Sequence, residues 1–187
     1  MTTELFSPDV TVLVVFALVF IFILLSFIIP TLSGAPWVPS PGETIRKMLL
    51  LAQVKPGEEL YDLGSGDGRI VIMSAREFGA RSTGVEIDPF RAYYSRLLIA
   101  ILGLRGKARV IRSSFYNVNL SDADVVTLYL LQPTNDRLKP KLEEELKPTC
   151  RVVSHVFKFD WELLHADEGA KIYVYSPKRS LATSRPS

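Results

Sequence analysis

The chain has 187 residues, a formal net charge of +2, two histidines and one cysteine. A near-neutral balance gives no footing for a nucleic-acid or acidic partner, and a lone Cys150 excludes an internal disulfide. Cys150, His155 and His165 lack ligand spacing, which excludes a metal site of the usual kind, and the length suits one domain with a real core.

Residues 1–9 form a short tail with Glu4 and Asp9 and no basic residue. Residues 10–29 then run without a charge, and seventeen of the twenty are Val, Ile, Leu or Phe. As a helix this stretch spans roughly 30 Å, the hydrocarbon thickness of a bilayer. Its composition is worth roughly −5 to −10 kcal/mol on an insertion scale. The expectation is a retained single-pass anchor rather than a cleaved signal peptide, since no basic residue precedes the apolar run. Arg46 and Lys47 follow the span closely and place the remainder on the cytoplasmic, or matrix, side.

Residues 30–40 are a proline-rich connector, and Trp37 and Pro39 within it make a candidate lid. Ser40-Pro41-Gly42-Glu43 predicts a capping box, with Ser40 as N-cap and Glu43 reaching back, and a helix to about Gln53. From there strand and helix alternate: strands over 59–63, 81–87, 108–112, 124–131 and 151–157, and helices over 69–78, 89–102 and 135–146. The last of these is expected to be interrupted by Pro140. Two further strands, 161–166 and 171–176, join at Asp167-Glu168-Gly169, and 177–187 reads as a disordered basic tail. Residues 41–176 therefore form an α/β domain, a sheet with helices on both faces, and its ligand belongs beyond the carboxyl ends of the strands.

The stretch Tyr61-Asp62-Leu63-Gly64-Ser65-Gly66-Asp67-Gly68-Arg69 lies at such an end. Its glycines alternate, but the third glycine of a dinucleotide fingerprint is replaced by Arg69. Glu86 ends the next strand, placed to accept from both hydroxyls of a ribose. Asp62 and Asp67 bracket the turn, which disfavours a pyrophosphate and suits the ammonium of an amino acid. A nucleoside with a cationic amino-acid tail describes S-adenosylmethionine; NAD is the alternative. Asp62, Gly64, Ser65, Gly66 and Glu86 are the candidate cofactor residues, with Ser114 and Phe115 beside the adenine. Tyr129 and His155, at the ends of strands four and five, are candidates for proton transfer. Leu131 and Gln132 join Trp37 and Pro39 as candidate substrate or lid residues. The D/N-P-P-Y/F motif of enzymes that methylate base or amide nitrogens is absent; Gln132-Pro133 stands there.

With these residues in hand the chain resembles a class I methyltransferase, and more narrowly a family of protein lysine methyltransferases with archaeal broad-specificity and mitochondrial ATP synthase c-subunit branches. The resemblance rests on Trp37-Val38-Pro39-Ser40-Pro41, residues 61–72, 84–88 and 126–131, the block 138–146, and Arg151-Val152-Val153-Ser154-His155. It implies a Rossmann-like class I fold, S-adenosylmethionine as donor, and a lysine ε-amine of a protein as acceptor; the anchor narrows the expected acceptors to lysines held near the membrane, such as those of membrane proteins. It implies that Asp62, Gly64, Gly66 and Glu86 bind the cofactor and that the Trp37–Pro41 segment closes over it. Val156 stands where archaeal members tend to carry Glu, and Tyr129 where Phe is usual. A membrane lipid or quinone methyltransferase, and a cofactor-binding membrane scaffold without activity, are the competing readings.

Overall fold

The computed structural model describes residues 8–32 and 40–177. The order of elements is α1 (Pro8–Leu32), α2 (Gly42–Leu51), β1 (Glu59–Leu63), α3 (Arg69–Glu77), β2 (Arg81–Glu86), α4 (Pro89–Ile101) and β3 (Ala108–Arg112). It continues with β4 (Val125–Leu128), α5 (Gln132–Glu145), β5 (Arg151–His155), β6 (Glu162–Asp167) and β7 (Ile172–Ser176). The strands form one sheet in the order β3-β2-β1-β4-β5-β7-β6. The first five strands pair in parallel; β7 runs antiparallel to both β5 and β6, so the sheet is mixed. This is a Rossmann-like α/β fold of the class I type.

Alternation along β1, β4, β5 and β7 separates two cores, and β3 packs with α3 and α4 in a third cluster. Tyr61, Leu63, Val126, Leu128, Val152, Tyr173 and Tyr175 face α5, whose Leu138 and Leu142 complete that layer. Leu60, Val125, Val153, Ile172 and Val174 face the other way, against Ile45, Met48, Leu49 and Ala52 of the α2 region and Ile70 of α3. Such two-sided burial is what near-continuous apolar strands require. Cys150 is buried ahead of β5 and its thiol is pushed up to about 12 by burial, an inert packing residue.

Several sequence expectations are corrected. Ser40 does not cap α2: Pro41 holds the N-cap position with no side-chain cap bond, and Glu43 pairs with Lys47 at 3.5 Å. The Ser40 carbonyl instead accepts from Arg69 Nη1 at 2.7 Å. β4 ends at Leu128 rather than Leu131, and α5 begins at Gln132, three residues early, because Pro133 sits in the first turn where a missing N–H costs nothing. The helix runs on through Pro140. Residues 33–39, which include Trp37 and Pro39, and residues 178–187 lie outside the described residues.

α1 is a single helix whose described side chains, residues 9–21 and 24, are all exposed. Among the described residues no helix is long and apolar enough to cross a membrane.

Candidate active site

The carboxyl ends of β1, β2, β3, β4 and β5 open on one edge, and all the described candidate residues gather there. The glycine loop leaves β1 by donating from the Gly64 and Ser65 amides to the Val85 carbonyl, at 2.9 and 3.0 Å. Gly64 sits at φ +83°, and a Cβ there would meet Leu130 Cδ2 at 3.1 Å, so the chain after β4 backs the loop. Ser95 of α4 holds the loop from the other side, donating to the Gly66 carbonyl at 3.0 Å.

Asp62 is buried at the end of β1 and accepts from Thr127 Oγ1 at 2.7 Å. Burial, only partly offset by that bond and reinforced by the charges of Glu86 and Asp67, pushes its carboxyl up to about 7. Glu86 is also buried; its Oε2 accepts from the Gly66 amide at 2.7 Å and its Oε1 from the Asp88 amide at 2.8 Å. Burial raises its pKa, and those two amides work against the rise. Each Glu86 oxygen retains a lone pair, so the carboxylate is oriented by the backbone before any ribose arrives. Asp88 caps α4 through Oδ1, accepting from Phe90 and Arg91 amides at 2.9 Å each.

Asp67 departs from the expected acidic bracket. Its carboxylate is held by Arg69, with Nη2 at 2.5 Å and Nε at 2.9 Å, leaving Asp62 as the loop's unneutralised acid. Asp67 Oδ1 also lies 3.4 Å from the Arg69 amide, at the start of α3. A phosphate would need that helix N-terminus, where a carboxylate already stands, so the NAD alternative loses its anchoring point.

Beyond β3, Ser114 caps a short 3-10 turn over Phe115–Asn117, accepting from the Tyr116 amide at 3.4 Å. Phe115 packs on the core and lies 4.7 Å from the Tyr116 ring. At the ends of β4 and β5 the rings of Tyr129 and His155 meet at 4.4 Å. Burial pulls the His155 pKa below its ordinary value, against a backbone hydrogen bond at Ala170 that raises it, and its Nδ1 is buried without a partner. Val156, next in the chain, adopts φ +72° while the Phe157 amide donates back to the His155 carbonyl at 3.0 Å. A β-branched residue at positive φ in so tight a turn stores strain, and the strain sits beside a candidate proton acceptor. Leu131 is exposed; Gln132 donates to Asp136 Oδ1 at 2.7 Å and to the Lys158 carbonyl at 3.2 Å. A cleft of about 370 Å³ opens there, lined by Gln132, Asp136, Lys139, Lys158, Phe159 and Asp160.

The sequence did not single out Thr127, Ser95 or Gly84. Thr127 was visible only as the lone polar residue in an apolar strand, and Gly84 as a glycine inside one.

The profile of the ANTKMT methyltransferase domain matches residues 62–163. The chain belongs to this family. It is 41% identical to a protein-lysine N-methyltransferase of Saccharolobus islandicus over 148 residues, 75% of this chain and 92% of the relative. It is 33% identical to the human lysine N-methyltransferase of the ATP synthase c-subunit over 135 residues, 71% of this chain, and spans 57% of that protein's length. Among solved structures, an RNA methyltransferase from Salinibacter ruber, in complex with S-adenosyl-L-homocysteine, is 38% identical with a TM-score of 0.73. That match covers 80% of this chain and 100% of the other.

This methyltransferase domain fits S-adenosylmethionine on its own geometry. Asp62, a buried acid with a pKa near 7 and no cationic partner among the described residues, fits an ammonium. Glu86, fixed by two amides with lone pairs to spare, fits vicinal hydroxyls. Metal-holding clusters of His, Cys, Asp or Glu are absent among the described residues.

Proposed function

We propose that this protein is a membrane-anchored, S-adenosylmethionine-dependent protein-lysine N-methyltransferase. The cofactor supplies an electrophilic methyl group on a sulfonium. Asp62 and Glu86 bind and orient it, and the loop from Gly64 to Gly66 lets it approach the backbone. The relatives named as lysine methyltransferases support the acceptor class.

The observation that carries lysine is the Tyr129–His155 pair. A lysine ammonium must lose a proton before it can act as a nucleophile, which costs roughly 4–5 kcal/mol at pH 7. His155, with its pKa lowered by burial, is neutral at that pH and able to take the proton on a ring nitrogen. The Tyr129 ring packs on the imidazole at 4.4 Å. RNA is the second reading, from the description of the Salinibacter ruber relative. A nucleobase amine is already neutral at pH 7 and needs no proton removed before it attacks, whereas a lysine ammonium does. The anchored reading rests on the sequence of residues 10–29, a twenty-residue run without a charge. Such an anchor holds the domain on the cytoplasmic or matrix face and favours lysines near a membrane.

The test is transfer from tritiated S-adenosylmethionine by the full chain to membrane and soluble extracts, each split and treated with protease or ribonuclease. Protease-sensitive label on lysine, lost in Asp62→Ala and Glu86→Ala, is expected. Label removed by ribonuclease, or label that partitions with lipid or quinone, overturns the lysine assignment. Cofactor binding without turnover on any fraction overturns the enzyme in favour of a scaffold.

A further inference from the structure

One edge of the domain is unlike the rest. α4 buries Ala92, Ser95 and Ile99 against the sheet, and its opposite face presents Tyr93, Tyr94, Leu97 and Ile101 to solvent, with Tyr93 69% and Ile101 70% exposed. Positions 93, 97 and 101 follow one another at helical spacing, with 94 beside them, so the four form one stripe. Leu102 extends it. A solvated helix face normally carries charge, and a contiguous apolar stripe marks an interaction surface.

The charges around the stripe have one sign. From Pro89 to Ser121 the chain contains six basic residues and no acidic one. Arg96, Arg105, Lys107, Arg109 and Arg112 are exposed along α4, the turn after it and β3, the edge strand of the sheet. Among the described residues none of these five pairs with a carboxylate. Arginines on an edge strand also discourage strand addition, but that purpose does not explain an apolar helix face beside them.

The connection to α1 bears on the occupant. Residues 33–41 separate Leu32 from Gly42 and can reach at most about 35 Å. Arg69 clamps the Ser40 carbonyl beside the glycine loop, so the connector joins the domain at the edge where the site opens and α4 begins. A domain tethered that closely must present some face to the bilayer.

We infer that the α4–β3 edge is the face that docks on an anionic membrane surface, with the Tyr93, Tyr94, Leu97 and Ile101 stripe in the headgroup region and the basic residues on lipid phosphates. Tyrosines with aliphatic neighbours, rimmed by Arg and Lys, have the chemistry of an interfacial helix. RNA would use the bases and stack on the tyrosines, but leaves Leu97, Ile101 and Leu102 with nothing to bury against. Docking sets the mouth of the site at the height of the headgroups, which selects acceptor lysines just outside the hydrocarbon. The inference rests on the anchored reading above only for the tether.

The test uses the full chain with an environment-sensitive fluorophore on Tyr94→Cys. Buried Cys150 stays unlabelled, and Leu163→Cys, on β6 at the opposite edge of the sheet, is the control. In vesicles with about a third phosphatidylglycerol, emission at position 94 should rise at least twofold over phosphatidylcholine vesicles and be quenched by nitroxide lipids, with position 163 unchanged. Arg105→Glu with Lys107→Glu and Arg112→Glu should remove the difference. Equal responses at 94 and 163 overturn the docking face. So does a rise in phosphatidylcholine that scales with protein density, which means a second copy, or a rise driven by an RNA oligonucleotide without vesicles. Flotation with phosphatidylcholine vesicles reports the anchor separately: loss of flotation with the position-94 response intact overturns the anchor and leaves the docking face standing.

Discussion

Asp62 and Thr127 are register partners across the β1–β4 ladder, and Thr127 Oγ1 donates to Asp62 Oδ1 at 2.7 Å. That bond opposes burial without cancelling it, and the Asp62 carboxyl titrates near 7 against an ordinary 3.8. The folded protein therefore keeps a proton that the unfolded chain releases above pH 3.8, so this residue's contribution falls as pH rises from about 4 to about 7. By pH 8 the loss is roughly 4 kcal/mol, as an order of magnitude. Asp62→Asn should raise the Tm of the cofactor-free protein at pH 8 and leave it nearly unchanged at pH 4. The same variant should bind S-adenosylmethionine at least tenfold more weakly by calorimetry, because the ammonium loses its counter-charge. A Tm that drops equally at both pH values would refute the account.

How much of this was legible in the sequence depends on whether the signal was local. β1 and β3 match their expected limits, β1 between the Pro56-Gly57 turn and Gly64, β3 between Gly106 and the Ser113-Ser114 turn. β4 reads too long because Tyr129, Leu130 and Leu131 continue the apolar run while lining the site edge and not the ladder. The Asp67–Arg69 pair spans two residues, outside the helical i, i+3 and i, i+4 spacings, and only the folded turn closes it. The Asp62–Thr127 bond joins residues 65 apart through a parallel register that no local pattern encodes. The same holds for β7, whose antiparallel place between β5 and β6 makes the sheet mixed.

Gly84 sits inside β2 for a reason visible only in three dimensions. A Cβ there would lie 2.5 Å from Ser65 Oγ, 2.8 Å from Ser65 Cβ and 2.9 Å from Val71 Cγ2. Gly84→Ala should destabilise the fold by about 1–3 kcal/mol and weaken cofactor binding more than tenfold, because the glycine loop must lift off β2. Gly84→Ala with Ser65→Gly should recover part of the stability, leaving the Val71 contact. Chemical denaturation and calorimetry on both variants decide it; no recovery in the double variant would mean the loop is not what the Cβ displaces.

Arg69 joins Asp67 to the Ser40 carbonyl and so ties the start of α2 to the glycine loop. Arg69→Ala frees both partners, leaving a carboxylate unpaired and a buried residue's carbonyl unsatisfied. Faster proteolytic cleavage near residue 40 and a three- to tenfold loss of cofactor affinity are expected. Arg69→Lys should recover the charge without the two-pronged grip and fall between. Wild-type cleavage rates in Arg69→Ala would show that Ser40 is held by its own packing.

His155 is placed by what surrounds it: the Tyr129 ring at 4.4 Å, the Ala170 backbone, and the strained turn at Val156. Its lowered pKa keeps it neutral at pH 7, so methylation rate should be flat near neutrality and fall on the acid side only below the ordinary histidine value. His155→Gln should reduce kcat by about 10²-fold and abolish that acid limb, with cofactor affinity unchanged. Tyr129→Phe keeps the ring contact and should change kcat less. Val156→Gly releases the positive-φ strain, worth about 1–3 kcal/mol before glycine's own entropic cost of about 0.5–1. It should leave stability level or slightly higher while lowering kcat, since the turn that aims the imidazole is relaxed. An acid limb that survives in His155→Gln would assign the proton to water, and the strain at Val156 would then serve the fold alone.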